Sequence, residues 1–216
     1  MKKDLTELVF ILDRSGSMGG LEKDTIGGYN ALLSKQKATL GECLITTTLF
    51  DTTISLFHDR INIQAVNEIT TKEYQVGGST ALLDAMGQTI LKIDNAISHT
   101  VEDYQPSKVM VVIITDGEEN ASKQYNLHHV KTMIEQKKKQ GWEFIFLGAN
   151  IDAVTTAADF GISADRAQNY HADSAGVNLN FCVMSEAISS FRENNEMNPN
   201  WNEKIQEDYN KHGSKK

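Results

Sequence analysis

The sequence predicts an α/β fold in three layers: about six mainly parallel strands, helices on both faces and one antiparallel strand at a sheet edge. Three observations carry that expectation. "LVFILD" (8–13), "VMVVIITD" (109–116) and "EFIFLGAN" (143–150) are short unbroken apolar runs, as in strands covered on both faces. Stretches between them repeat apolar residues at intervals of three and four, the period of a helix packed along one side. Finally, only "DTT" (51–53) separates "CLITTTLF" from "ISLFHDRINI". So short a link makes a hairpin and not a crossover, and the second run must return antiparallel.

The elements follow in order. The charged residues of "ISLFHDRINI" suit a strand at the sheet edge. Leu83, Met86, Ile90, Ile93 and Ile97 form one helical stripe, and Leu127, Val130 and Ile134 form another. The second helix closes with Lys137, Lys138 and Lys139, which suit its negative end, and Gly141 suits a left-handed cap. "DAVTTAADFGI" (152–162) reads as a short helix ending before Gly161, and "VNLNFCVMSEAISSF" (177–191) as a long closing one. From 193 onward the chain turns polar and loses periodicity. The division is therefore a domain over 1–192 and a polar C-terminal tail over 193–216, which Trp201 pins to the body.

Composition narrows the functional classes. A chain of 216 residues fills one domain without staples. A formal charge of −8, from 29 acids against 21 bases, argues against binding nucleic acid or an anionic membrane. No apolar run approaches membrane-spanning length. At the N-terminus Asp4 and Glu7 follow the lysines at once, unlike a signal peptide. Cys43 and Cys182 lie in apolar-patterned segments and read as reduced core thiols of a cytoplasmic protein.

The chemistry gathers where strands end. Asp13 and Asp116 each close a buried run, and functional groups in such sheets collect beyond the carboxyl ends of strands. If the two strands are neighbours, two carboxylates converge and require a positive partner. Arg14 diverges from Asp13, no lysine lies in "DRSGSMGG" or "TDGEEN", and Glu118 and Glu119 only add negative charge. A hard divalent cation is the better counter-charge. Ser15 and Ser17 offer oxygens, and so does Thr80 in "GGSTALLDA" (77–85), where Gly77 and Gly78 permit close backbone approach. Each residue also has a plainer role: either serine or Thr80 could cap a following helix, and Asp116-Gly117 could be a simple turn. Asp84 orders the third loop or tops its helix, and the six histidines are surface or core residues.

Together "DRSGSM", "GGSTALLDA" and "ITDGEEN" resemble the metal-ion-dependent adhesion site of the von Willebrand factor A (vWA) family, over roughly residues 5–190. The likeness is nearest to small stand-alone bacterial members of the tellurite-resistance-related type. It implies a Rossmann-like sheet in the order 3-2-1-4-5-6 with Mg²⁺ or Mn²⁺ at its top. It also implies direct ligation by Ser15 and Ser17, Thr80 binding directly or through water, and Asp13 and Asp116 acting mostly through waters or the serines. An Asp or Glu of a protein partner would take the open coordination position. Enzymatic alternatives lack parts: Ser15 stands where a dehalogenase-type phosphatase needs its second acid, and "SGSMGG" lacks the lysine of a phosphate loop. No histidine lies in the three loops to serve a serine hydrolase. The expectation is a non-catalytic binding module, with a metal-independent scaffold as the main rival and a metal-dependent hydrolase behind it.

Overall fold

The apolar runs become the central strands of the computed structural model, which describes residues 2–212. Its strands are β1 (Lys2–Asp13), β2 (Glu42–Phe50), β3 (Ile54–Asn62), β4 (Pro106–Thr115), β5 (Trp142–Gly148) and β6 (Ala167–Asn169). They form one sheet in the order β3-β2-β1-β4-β5-β6. All neighbours are parallel except β2 and β3, the hairpin expected at the edge. β6 escapes a reading of periodicity because it is only three residues, "AQN", too short to show one.

The helices are α1 (Glu22–Ala38), α2 (Leu82–Ser98), α3 (Leu127–Lys139), α4 (Ala153–Asp159), α5 (Ser174–Asn194) and α6 (Glu203–His212). One core layer lies between the sheet and α1 with α5, and the other between the sheet and α2, α3 and α4. α1 has no sustained stripe and two adjacent glycines, Gly27 and Gly28, so its sequence announces it poorly. Packing supplies what propensity does not. Tyr29 meets Phe10 edge-on at 5.1 Å, and a Cβ on Gly28 would lie 2.4 Å from the Phe181 ring, so only glycine lets α1 approach α5 this closely. The end of α1 is closed by Arg192 of α5, which is buried and donates to the carbonyls of Gln36 (2.6 Å) and Gly41 (3.0 Å).

Two details depart from the sequence reading. The polar stretch after 193 contains α6, and Met197, Trp201 and Ile205, spaced four apart, are buried in the α1/α5 core layer. Trp201 Nε1 donates to the Asp165 carbonyl at 2.9 Å, and Asn202 donates to Gln168 Oε1 at 2.8 Å. Of Met197, Trp201 and Ile205 only Ile205 lies within α6, so the segment leaves little periodic signal. Met1 and residues 213–216, parts of the domain and tail read from the sequence, lie outside the described residues. Cys43 is a buried free thiol as expected, whereas Cys182 is exposed on the outer side of α5. Among the described residues no helix is long and apolar enough to cross a membrane.

One acid sits inside the sheet itself. Glu7 of β1 is 0% exposed, and its Oε2 is reached by Arg60 of β3 through Nε (3.0 Å) and Nη2 (2.9 Å). Arg60 adopts a left-handed φ of 50° in a stretch where the β2–β3 register shifts, and this turns the guanidinium inward. Burial pushes the Glu7 carboxyl up, and Arg60 holds it down.

Candidate metal site

β1 and β4 are adjacent, so Asp13 and Asp116 do leave the sheet side by side. Chain connections diverge there, from β1 toward β2 on one side and from β3 across to β4 on the other, which opens a crevice at the sheet's top. Both carboxylates are almost sealed from solvent, at 1% and 2% exposure.

Asp13 is held by short hydrogen bonds: Ser15 N donates to Oδ1 (2.7 Å) and Thr115 Oγ1 to Oδ2 (2.5 Å). The buried Tyr74 hydroxyl donates to the Asp13 carbonyl. Ser17 Oγ donates to Asp116 Oδ1 at 2.6 Å and lies 3.1 Å from Ser15 Oγ. Asp116 Oδ2 is buried without a hydrogen-bond partner among the described residues. Arg14 turns away as expected, to Asp51 (2.9 Å) and the Glu73 carbonyl (3.1 Å). Among the described residues neither carboxylate has a cationic partner, so an electrostatic deficit remains at this point.

The helix-cap alternative fails for all three hydroxyls. Ser15 precedes a single 3-10 turn without capping it, and the N-cap of α1 is Leu21. The N-cap of α2 is Ala81, one residue past Thr80. The hydroxyls instead converge over Gly117: a Cβ added there would lie 3.0 Å from Thr80 Oγ1, 3.2 Å from Ser17 Oγ and 3.9 Å from Ser15 Oγ. Glycine keeps that space open. The structure brings Asp13, Ser15, Ser17, Thr80 and Asp116, the five groups the sequence singles out, to one place.

What the sequence misses is the clamp on Thr80. Its N–H donates to Asn120 Oδ1 (2.9 Å), and its carbonyl accepts from Asn120 N and Ala121 N. The preceding residues are tied as firmly, with Gly16 N donating to Gly78 O (3.1 Å), Gly77 N to Arg14 O (3.0 Å) and Ser79 N to Thr52 Oγ1 (2.8 Å). Gly78, at φ +74°, makes the turn that permits these contacts. Glu119 accepts from Leu83 N at the start of α2 (2.8 Å), while Asp84 accepts from the N–H groups of Lys123, Gln124 and Tyr125. Asp84 thus orders the segment after Asp116 and not its own loop. Glu119 and Asn120 stand in the quoted "ITDGEEN", but partners 36 and 40 residues distant leave no local signal.

The donors fit a hard cation. Hydroxyls and carboxylates suit Mg²⁺ or Mn²⁺, an orphaned buried oxygen awaits a partner, and the cradle beside Gly117 is free of carbon. No cluster of three or more His, Cys, Asp or Glu that could hold a metal occurs among the described residues.

Burial pushes Asp116 up to about 6, opposed by the Ser17 hydrogen bond and reinforced by the charge of Asp13. Burial raises Asp13 too, against its hydrogen bonds from Thr115 and Ser15. A carboxyl raised by folding stabilises the fold fully below its unfolded pKa, and that contribution is lost as pH rises through about 6. A cation held by these carboxylates would take the proton's place. The increment that Mg²⁺ adds to the melting temperature is therefore expected to be small at about pH 5 and full at about pH 7.5. Thermal scans with Mg²⁺ and with chelator at both pH values check this, and an increment independent of pH would contradict it.

No protein-family model matches the chain, and no curated protein matches it. Solved structures do. A von Willebrand factor type A structure from Catenulispora acidiphila superposes with a TM-score of 0.57, covering 86% of this chain and 43% of that one at 14% identity. The fold is that of a vWA domain. The vWF domain of the type V pili tip protein Mfa5 from Porphyromonas gingivalis gives 0.57 over 89% of this chain and 98% of its own, at 10% identity. Proximal thread matrix protein 1 of the mussel byssus, with a zinc-occupied MIDAS motif, gives 0.57 at 12% identity over 85% of this chain and 46% of its own. The chain thus spans less than half of two of these three and nearly all of the Mfa5 domain. Identities this low establish the vWA fold and leave function to the site.

Proposed function

We propose that this chain is a divalent-cation-dependent protein-binding module that recognises an Asp or Glu side chain of a partner. One observation carries it: three hydroxyls converge beside Gly117 in front of two buried carboxylates that no cation among the described residues neutralises. Ser15, Ser17 and Thr80 would hold the ion, Mg²⁺ or Mn²⁺, with Asp13 and Asp116 behind them. When bound, the ion supplies a Lewis-acidic position open to an external carboxylate. Asp13 and Asp116 orient the serines through Ser15 N and Ser17 Oγ, which leaves much of the donor set neutral and the centre electron-poor. The Thr80 backbone is tied on both sides, so any change between direct and water-mediated contact falls to its side-chain torsion. The zinc-occupied motif of the mussel protein, on the same fold, supports the assignment of a metal.

The role is binding and not catalysis: no histidine lies in the three loops to move a proton. Two unpaired cysteines, one exposed, favour the cytoplasm. Affinity capture from native lysate tests the function. Specific partners are expected with Mg²⁺ on the wild type and are lost both with chelator and with Ser17→Ala. Equal capture under chelator would make this a metal-independent scaffold.

A further inference from the structure

The sheet's hydrogen-bond ladder runs one residue past its strands. Ala149 N donates to Thr115 O and Tyr170 N to Gly148 O, both at 3.0 Å. Thr115, Gly148 and Asn169 are in register, so Asp116, Ala149 and Tyr170 form the next row across the top edge. Ala149 and Tyr170 belong to the core layer on the α1/α5 face. From that same side Ser17, at the entry to α1, donates to Asp116. Two strand spacings put the Cα atoms of Asp116 and Tyr170 about 10 Å apart. A tyrosine side chain is long enough to cover most of that distance, and the residue between the two on this row is the small Ala149.

Tyr170 is 2% exposed, and its hydroxyl is not sealed from water. Asp116 Oδ2, in contrast, is buried without a hydrogen-bond partner among the described residues. Buried polar groups are almost always satisfied, by protein or by ordered water. After burial, the charges of Asp116 and then Asp13 raise the Tyr170 phenol.

We infer that Tyr170 is a positioning residue of the metal site, whose hydroxyl, through one water, orients the free oxygen of Asp116 toward the cation. The assignment rests on the metal-dependent reading above. It explains why a phenol is buried beside two acids where phenylalanine would fill the same space. Groups that orient ligands in this way commonly change metal affinity by about 10–100-fold.

The test is Tyr170→Phe, with Mn²⁺ affinity measured by calorimetry on the full chain. Binding is expected to weaken by about 10-fold or more. The melting temperature in chelator should stay at the wild-type value, since the ring and its packing are kept. The near-ultraviolet tyrosine difference signal that saturating Mn²⁺ induces in the wild type should shrink in the variant, a change that a purely structural ring would not produce. Wild-type affinity in Tyr170→Phe, or an undiminished signal, would overturn the assignment. Absence of Mn²⁺ binding by the wild type would instead overturn the metal reading, and this assignment with it.

Discussion

Mg²⁺ or Mn²⁺ at about a hundred times its dissociation constant is expected to stabilise the wild type by about 2.7 kcal/mol over the chelator-treated protein. For a chain of this length that raises the melting temperature by about 5–10 °C. Asp13→Ala should abolish the increment. The variant loses two short hydrogen bonds, from Ser15 N and Thr115 Oγ1, but also sheds one of two buried like charges. These effects oppose each other, so the loss shows in the metal increment more than in the metal-free melting temperature. Differential scanning calorimetry of both proteins, with and without metal, decides it. An increment of equal size in Asp13→Ala would mean that the ion binds elsewhere.

Arg60→Ala is expected to be the most damaging single change to the fold away from the site. It leaves the Glu7 carboxylate buried at 0% exposure with no cation in contact among the described residues, since Arg60 supplies both of its short contacts. Stranding a buried charge costs about 3–5 kcal/mol, or about 6–20 °C in melting temperature. Glu7→Gln in the Arg60→Ala background should recover much of that loss, because the remaining group is neutral. Because burial raises the Glu7 carboxyl, the Arg60→Ala defect should also lessen as pH falls and the acid takes up its proton. Urea midpoints of the three proteins measure this, and a midpoint for Arg60→Ala equal to the wild type would show the pair to be energetically idle.

Much of this architecture is legible before any coordinates, for reasons that differ among elements. The central stretches of β1, β4 and β5 (8–12, 109–114 and 144–147) are buried on both faces and apolar, so their sequences carry the signal themselves. The three-residue loop 51–53 admits only a hairpin, which places β3 antiparallel. α1 is obscured because its close contact with α5 demands Gly28, which weakens the pattern that would reveal it. β6 and α6 are obscured by brevity and by polarity.

The site divides in the same way. Asp13, Ser15, Ser17, Thr80 and Asp116 stand at strand ends and loop mouths, where short-range spacing signals their chemistry. The Thr80 clamp through Asn120, the exchange between Glu119 and Asp84, and the convergence on Gly117 depend on loops brought together only by the sheet order. Sequence spacing cannot express such contacts. The exposure of Cys182 is a related case: its apolar neighbours mark a helix without fixing which side of it faces the core.

The account stands on a single cation held over Gly117, and counting Mn²⁺ ions bound to the wild type and to Gly117→Ala tests this most directly. Gly117 has no left-handed φ, so alanine fits the backbone while its methyl group enters the space between Thr80 Oγ1 and Ser17 Oγ. Equilibrium dialysis with electron paramagnetic resonance should find one ion per wild-type chain and none in Gly117→Ala, at an unchanged metal-free melting temperature. An ion retained by Gly117→Ala, or none bound by the wild type at millimolar Mn²⁺, would contradict it.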